Sequence, residues 1–175
     1  MTESDSLARA SVLETLQLLV STPSVNPDLA PGEGSGEAAI AAVIRDWFSA
    51  RGVESWLEDA APGRPNAIAQ IGTGASPTLV FCAHIDTVST AGMTIPPFDP
   101  RVEGNRVYGR GSYDMKGGAA AILCAIAKLA KENLNGTVIA ALVADEEYAS
   151  LGAQHFVAHH KADACVITEP SHSSS

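Results

Sequence analysis

The chain has 175 residues, with 11 Lys and Arg against 20 Asp and Glu, for a formal charge of −9 at pH 7. That length fits one domain, and 46% hydrophobic residues supply a core that a disordered chain lacks. The acidic balance argues against a nucleic-acid partner, because neutralising phosphates takes clustered Lys and Arg.

Residues 1–6 are polar and acidic, without the basic and then apolar pattern of a secretory signal. Over 6–20, Leu7, Val12, Leu13, Leu16, Leu19 and Val20 recur near helical spacing and predict a helix. The Pro-, Gly-, Ser- and Asn-rich stretch 21–36 reads as a long loop. A second helix is expected over 37–50, with Ile40, Val43, Ile44, Trp47 and Phe48 on one side and Gly52 as its stop. Residues 53–57 and 66–71 read as short strands around a Pro/Gly turn. The continuous apolar run 78–83 suits a strand buried on both faces. Residues 89–109 read as irregular, with a small hairpin around Gly104 and Asn105. A long Ala-rich helix is expected over 115–131, an apolar strand over 137–144, a helix over 151–160 and a last strand over 164–168.

Strands alternating with helices predict an α/β fold: a mixed, largely parallel sheet with helices on both faces. Residues 1–170 read as one unit and 171–175 as a flexible Ser-rich tail. The longest apolar stretch, 118–127, is far short of the roughly 20 residues of a membrane span, so no membrane partner is expected. Cys82, Cys124 and Cys165 are odd in number, widely spaced and set in apolar runs. They read as buried reduced thiols, which fits a cytoplasmic location.

Three apolar strands run into groups that ligate metals. The first leads into His84-Ile85-Asp86, the second into Asp145-Glu146-Glu147 and the third into Glu169-Pro170. Ligands in open α/β sheets bind beyond the carboxyl ends of strands. Asp114 stands in the loop just before the Ala-rich helix. Carboxylates gathered at one edge repel one another unless cations offset them. One imidazole with several carboxylates suits zinc, manganese or cobalt. Residues two apart in extended backbone point the same way, so Asp86 can accept a hydrogen bond from one ring nitrogen of His84 while the other binds metal. Of Glu146 and Glu147, one can ligate and the other can serve as general base. The bland alternatives are a strand-end His and Asp facing water, and a solvated acidic turn.

Gly109-Arg110-Gly111 begins like a dinucleotide fingerprint, but Asp114 stands where the last Gly belongs, and a phosphate-loop ending is missing. The nearby Gly117 and Gly118 read as allowing the helix to pack close to the sheet. His155 and His159 have the spacing of a zincin pair, but residue 156 is Phe rather than Glu, so they read as a helix face. His172 reads as part of the tail, and Lys128, Lys131 and Lys161 as solvated helix positions.

The motifs at 84–88, 109–118, 145–147 and 168–170 together resemble the co-catalytic zinc peptidases and amidohydrolases. That group includes acetylornithine deacetylase, succinyl-diaminopimelate desuccinylase, aminoacylase and glutamate carboxypeptidase. The resemblance runs from about Leu7 to Pro170. It implies a zinc-peptidase catalytic domain with an inserted lid, two zinc ions per site (cobalt or manganese as substitutes) and an N-acyl amino acid or small peptide as substrate. It implies that His84 and Glu169 hold one metal, Glu147 holds the other and Asp114 bridges both. Glu146 would be the general base and Asp86 would orient His84. The bond after the bridging Asp is typically cis in relatives, which singles out Asp114–Met115. Relatives continue past the Glu-Pro motif into the lid, through which they often form homodimers, and on to a final metal-binding His. The expected reading is therefore the N-terminal portion of a metal-dependent amide hydrolase, possessing a complete first metal site and an incomplete second. The alternatives are a non-catalytic remnant binding a single metal, or an interaction module that pairs through its sheet edge.

Overall fold

The computed structural model describes residues 3–171, with side chains from residue 11 onward. His172 and the tail beyond Ser171 lie outside the described residues. In chain order the elements are α1 (Glu3–Val20), α2 (Ala38–Ser49), β1 (Glu54–Ala61), β2 (Arg64–Gly72), β3 (Thr78–His84), β4 (Arg101–Glu103), β5 (Arg106–Tyr108), a π-type turn (Ser112–Lys116), α3 (Gly117–Leu129), β6 (Thr137–Val143), α4 (Leu151–His159) and β7 (Ala164–Ile167).

Five strands form one sheet in the order β1-β2-β6-β3-β7, and β4 and β5 form the small hairpin expected at 104–105. β3 pairs in parallel with both β6 and β7, whereas β2 is antiparallel to β1 and β6. Four of the five strands therefore run the same way, and β2 alone is reversed. Alternation of side chains splits the core in two. Ala67, Ala69, Ala83, Ala140 and Leu142 face Ile40, Ile44 and Phe48 of α2 and Ala119, Leu123 and Ile126 of α3. On the opposite face, Ile68, Val80, Ile139, Ala141 and Val143 meet Phe156 of α4. The helices thus cover both faces. Small Ala side chains on the strands let α3 approach closely, and each fully buried Ile, Leu or Phe adds about 1.5–3 kcal/mol. α1 packs on α3, with Leu19 and Val20 buried. Among the described residues no helix is long and apolar enough to cross a membrane.

Four expectations need correction. β1 and β2 extend beyond 57 and before 66, because backbone pairing carries on through Glu58↔Asn66 and Asp59↔Pro65 despite the polar side chains. The third helix begins at Gly117, not 115: Asp114 and Met115 have non-helical backbone, and the Asp114–Met115 bond is cis. It ends at Leu129, and α4 ends at His159, so Lys131 and Lys161 stand outside helices. The cysteines are all free, but Cys165 is exposed and the other two are only half-buried. Cys165 lies on β7, an edge strand whose four residues are all exposed.

Candidate metal centre

Strand register assembles the site. Parallel pairing sets Cys82 beside Ile167 and His84 beside Val143. Two residues further on, Glu169 comes level with His84, and Asp145 with Asp86. The π-type turn brings Asp114 to the same edge, where His84 Nε2 lies 3.0 Å from Asp114 Oδ1. The same nitrogen is 3.7 Å from Glu169 Oε1 and 3.7 Å from Glu146 Oε2. One ligand atom from each of His84, Asp114 and Glu169 lies within 4.8 Å of the others. Glu147 and Asp114 share the wall of an adjoining cavity of about 280 Å³, with Arg110 and Tyr113.

The His84 ring is buried, and its Nδ1 faces the Asp86 main-chain oxygen at 3.0 Å and the Asp86 carboxylate at 3.4 Å. The sequence pattern predicts the carboxylate as the partner, yet the carbonyl is closer. Other donors draw the carboxylate away: Asn26 Nδ2 at 2.7 Å, the Glu146 N–H at 3.0 Å and the Glu147 N–H at 3.2 Å. Asp86 thereby ties the backbone of the two glutamates to the strand end. Burial disfavours the His84 imidazolium, but Asp86, Asp114 and Glu169 outweigh it and hold the pKa up to about 9. Burial likewise opposes ionised Asp86, yet contacts from His84, Asn26 and Glu146 leave its pKa below the usual carboxylate value. Glu147 and Glu169 are both pushed up, first by burial and then by neighbouring carboxylates, against the pull of His84. Carboxylates crowded in this way around one imidazole fit a divalent cation, which offsets their repulsion.

The roles of several residues at this edge escape sequence reasoning. Asp145, the first of the acidic triplet, adopts a left-handed φ of 65° and turns inward. Its Oδ1 accepts from Arg64 Nη2 at 2.7 Å and from Asn26 Nδ2 at 2.9 Å. Arg64 also binds Glu37 through Nε at 2.5 Å and Nη2 at 2.7 Å, and Asp28 through Nη1 at 2.5 Å. Glu37, then Asp28 and Asp145, hold the guanidinium protonated more firmly than usual, against desolvation. Beneath the Asp114 turn, Lys116 is 1% exposed and donates through Nζ to the Leu19 and Thr22 carbonyls, both at 2.9 Å. Burial pushes its pKa down to about 7. Its only sequence signal is a Lys inside an otherwise apolar helix start. His155 and His159 do not take part in the centre.

Gly118 sets how closely α3 approaches the ligand strand. A Cβ there would stand 2.5 Å from Thr168 Oγ1 and 2.7 Å from the Thr168 carbonyl, directly before Glu169. Gly118→Ala is therefore expected to cost about 1–3 kcal/mol of stability through overpacking, and to weaken zinc binding by shifting Glu169. Thermal melts and zinc titration check this, and an unchanged midpoint with unchanged affinity would refute it.

Residues 80–174, more than half of the chain, match the family described as peptidase family M20/M25/M40. The chain belongs to this family. Similar M20 relatives include the acetylornithine deacetylase of Vibrio vulnificus, 33% identical over 165 residues, which span 92% of this chain and 43% of that protein. Among solved structures, the M20 family metallo-carboxypeptidase Sso-CP2 from Sulfolobus solfataricus superposes with a TM-score of 0.75 at 27% identity, covering 96% of this chain and 37% of the other. Human carnosine dipeptidase 1 shares the fold with a TM-score of 0.77 at 21% identity, over 93% of this chain and 39% of the other. The chain thus spans less than half the length of these M20 relatives.

Proposed function

We propose that residues 1–170 form the N-terminal portion of the catalytic domain of a metal-dependent hydrolase that cleaves amide bonds in N-acyl amino acids or small peptides. The observation that carries this reading is the convergence of His84, Asp114 and Glu169 at one strand edge in an M20 chain. In this reading His84 and Glu169 would hold one cation, Glu147 would hold a second, and Asp114 would serve both. Zinc is the expected ion, with cobalt or manganese as substitutes. When bound, the metal supplies Lewis acidity toward the scissile carbonyl. Glu146, with its backbone held by Asp86, takes the proton of the attacking water and returns it to the leaving amine. Asp86 orients the His84 ring. Free thiols and the fold suit a reducing cytoplasm.

The first position has three protein ligands and the second, among the described residues, only Asp114 and Glu147. A zinc site usually needs at least three. The 175-residue chain is therefore expected to bind one ion firmly at this centre and to lose it in His84→Asn. Zinc stoichiometry by atomic absorption checks the binding, alongside release of free amine from N-acetylornithine, other N-acyl amino acids and dipeptides. Two tightly held ions that both depend on Asp114, with turnover, would show the second position to be complete. Metal without turnover would favour the single-metal remnant, and neither would favour pairing through the β7 edge.

A further inference from the structure

A cavity of about 590 Å³ opens between α1, α2 and α3 and shares no residue with the His84 centre. Its apolar wall includes Val12 of α1, Trp47 of α2 and the α3 face that carries Ala121, Cys124 and Ala125. Residues 121, 124, 125 and 128 recur at helical spacing, so this face runs about 10 Å along α3, from Ala121 to Lys128. The alanines leave a trough that larger side chains would fill. The Cys124 sulfur lies 3.5 Å from Thr15 Oγ1 and 3.6 Å from Ser11 Oγ, so the thiol is already engaged. Three cations line the same cavity: Arg51 just past α2, Lys128 in the last turn of α3, and Lys131 beyond its end. Among the described residues none of the three is in an ion pair, although the chain carries a net charge of −9. Arg51 is fixed in place: its Cζ stands 3.6 Å from the Trp47 ring centroid, and its Nη1 donates to the Trp47 carbonyl at 3.0 Å. The guanidinium covers that ring face and closes it to a flat aromatic ligand.

We propose that this cavity binds a free medium-chain fatty-acid anion, its acyl chain along the α3 trough and its carboxylate among Arg51, Lys128 and Lys131. The volume lies within the range of about 300–1,000 Å³ usual for small-molecule sites, as does the pattern of an apolar wall with a few polar groups. An unbranched chain suits a narrow trough lined by small side chains, and each methylene it buries strengthens binding. The carboxylate takes charge-assisted hydrogen bonds from the guanidinium and the ammonium groups. Neither half of the ligand suffices alone. A short carboxylate gains only exposed ion pairs, which contribute little, and an alcohol of the same length lacks the charge. Helix dipoles favour cations at the C-terminal ends of α2 and α3, but they do not account for the unfilled trough beside those cations.

The test is calorimetric titration of the 175-residue chain with hexanoate, octanoate and decanoate, below the concentrations at which they form micelles. One site per chain is expected, with affinity rising about 3–4-fold per added methylene. Decanol should bind more weakly than decanoate. Replacing both Lys128 and Lys131 with Gln should weaken decanoate about 3–10-fold and leave decanol unchanged. Ala125→Phe should obstruct the trough and remove decanoate binding. All three positions are exposed and outside the metal edge, so these variants keep the fold. In the unmodified chain, decanoate should slow alkylation of Cys124, read peptide by peptide, and leave the exposed Cys165 unaffected. The absence of binding, an affinity independent of chain length, full decanoate affinity in the Lys128 and Lys131 double variant or in Ala125→Phe, or an unprotected Cys124 would overturn the proposal. Binding to anionic phospholipid vesicles without binding to free decanoate would also overturn it. None of these readouts depends on metal or on amide hydrolysis.

Discussion

In a full-length protein carrying these motifs, Glu146→Gln is expected to keep its metal and to lose about 10²–10⁴ of its turnover, equivalent to about 3–5 kcal/mol of barrier. Gln preserves the shape and the backbone N–H that Asp86 holds at 3.0 Å, but cannot accept a proton. The Glu146 carboxylate is 44% exposed and stands 3.7 Å from His84 Nε2, close enough to reach a water at the centre while free to swing toward a leaving group. A ligand would behave differently: its loss would remove metal and turnover together. The measurement is kcat on an N-acyl amino acid, with zinc content determined on the same preparation. Turnover that survives with normal zinc would place the base elsewhere, and a parallel fall of both would make Glu146 a ligand.

Most of the candidate metal edge is legible in the sequence because its residues, Asp114 apart, follow apolar runs. His84 and the acidic triplet follow buried strands and Glu169 an apolar one, and the parallel register then aligns them. Asp114 is legible by its motif, but the backbone around it is not. Helical periodicity from the Ala-rich stretch spreads forward over Met115 and Lys116, which are buried for a different reason: they plug the turn beneath the metal edge. The apolar run at 164–167 reads as core, yet it is an exposed edge strand, since period and composition do not report what lies beside a strand. The spacing of His155 and His159 is visible along one helix. The carboxylate that approaches His155, Glu58 at 3.8 Å, arrives from β1 and is invisible to any local pattern.

The same limit hides Arg64, and its removal is the largest stability effect expected in this chain. An Arg following a turn glycine reads as a solvated strand end. Instead it is 10% exposed, between Glu37 and Asp145, both with fully buried side chains, and the half-exposed Asp28. Asp28 and Glu37 belong to the segment before α2 and Asp145 follows β6, so Arg64 joins the 26–37 loop and α2 to the loop bearing Glu146 and Glu147. Ion pairs of this kind add little net stability over an apolar replacement of the whole set, but removing one partner strands the remaining charges in the interior, at about 3–5 kcal/mol. Arg64→Met is therefore expected to lower the melting temperature by about 6–20 °C for a domain of this size. It should also loosen Asp145, and with it the Glu146 and Glu147 backbone. Arg64→Lys should recover little of the loss, because one ammonium cannot reproduce the planar fork that reaches three carboxylates at once. Denaturant and thermal unfolding of the two variants decide this. A Met variant within 1 kcal/mol of the parent, or a Lys variant matching it, would mean that the network is dispensable and that Asp86 and Asn26 alone hold the metal-edge loop.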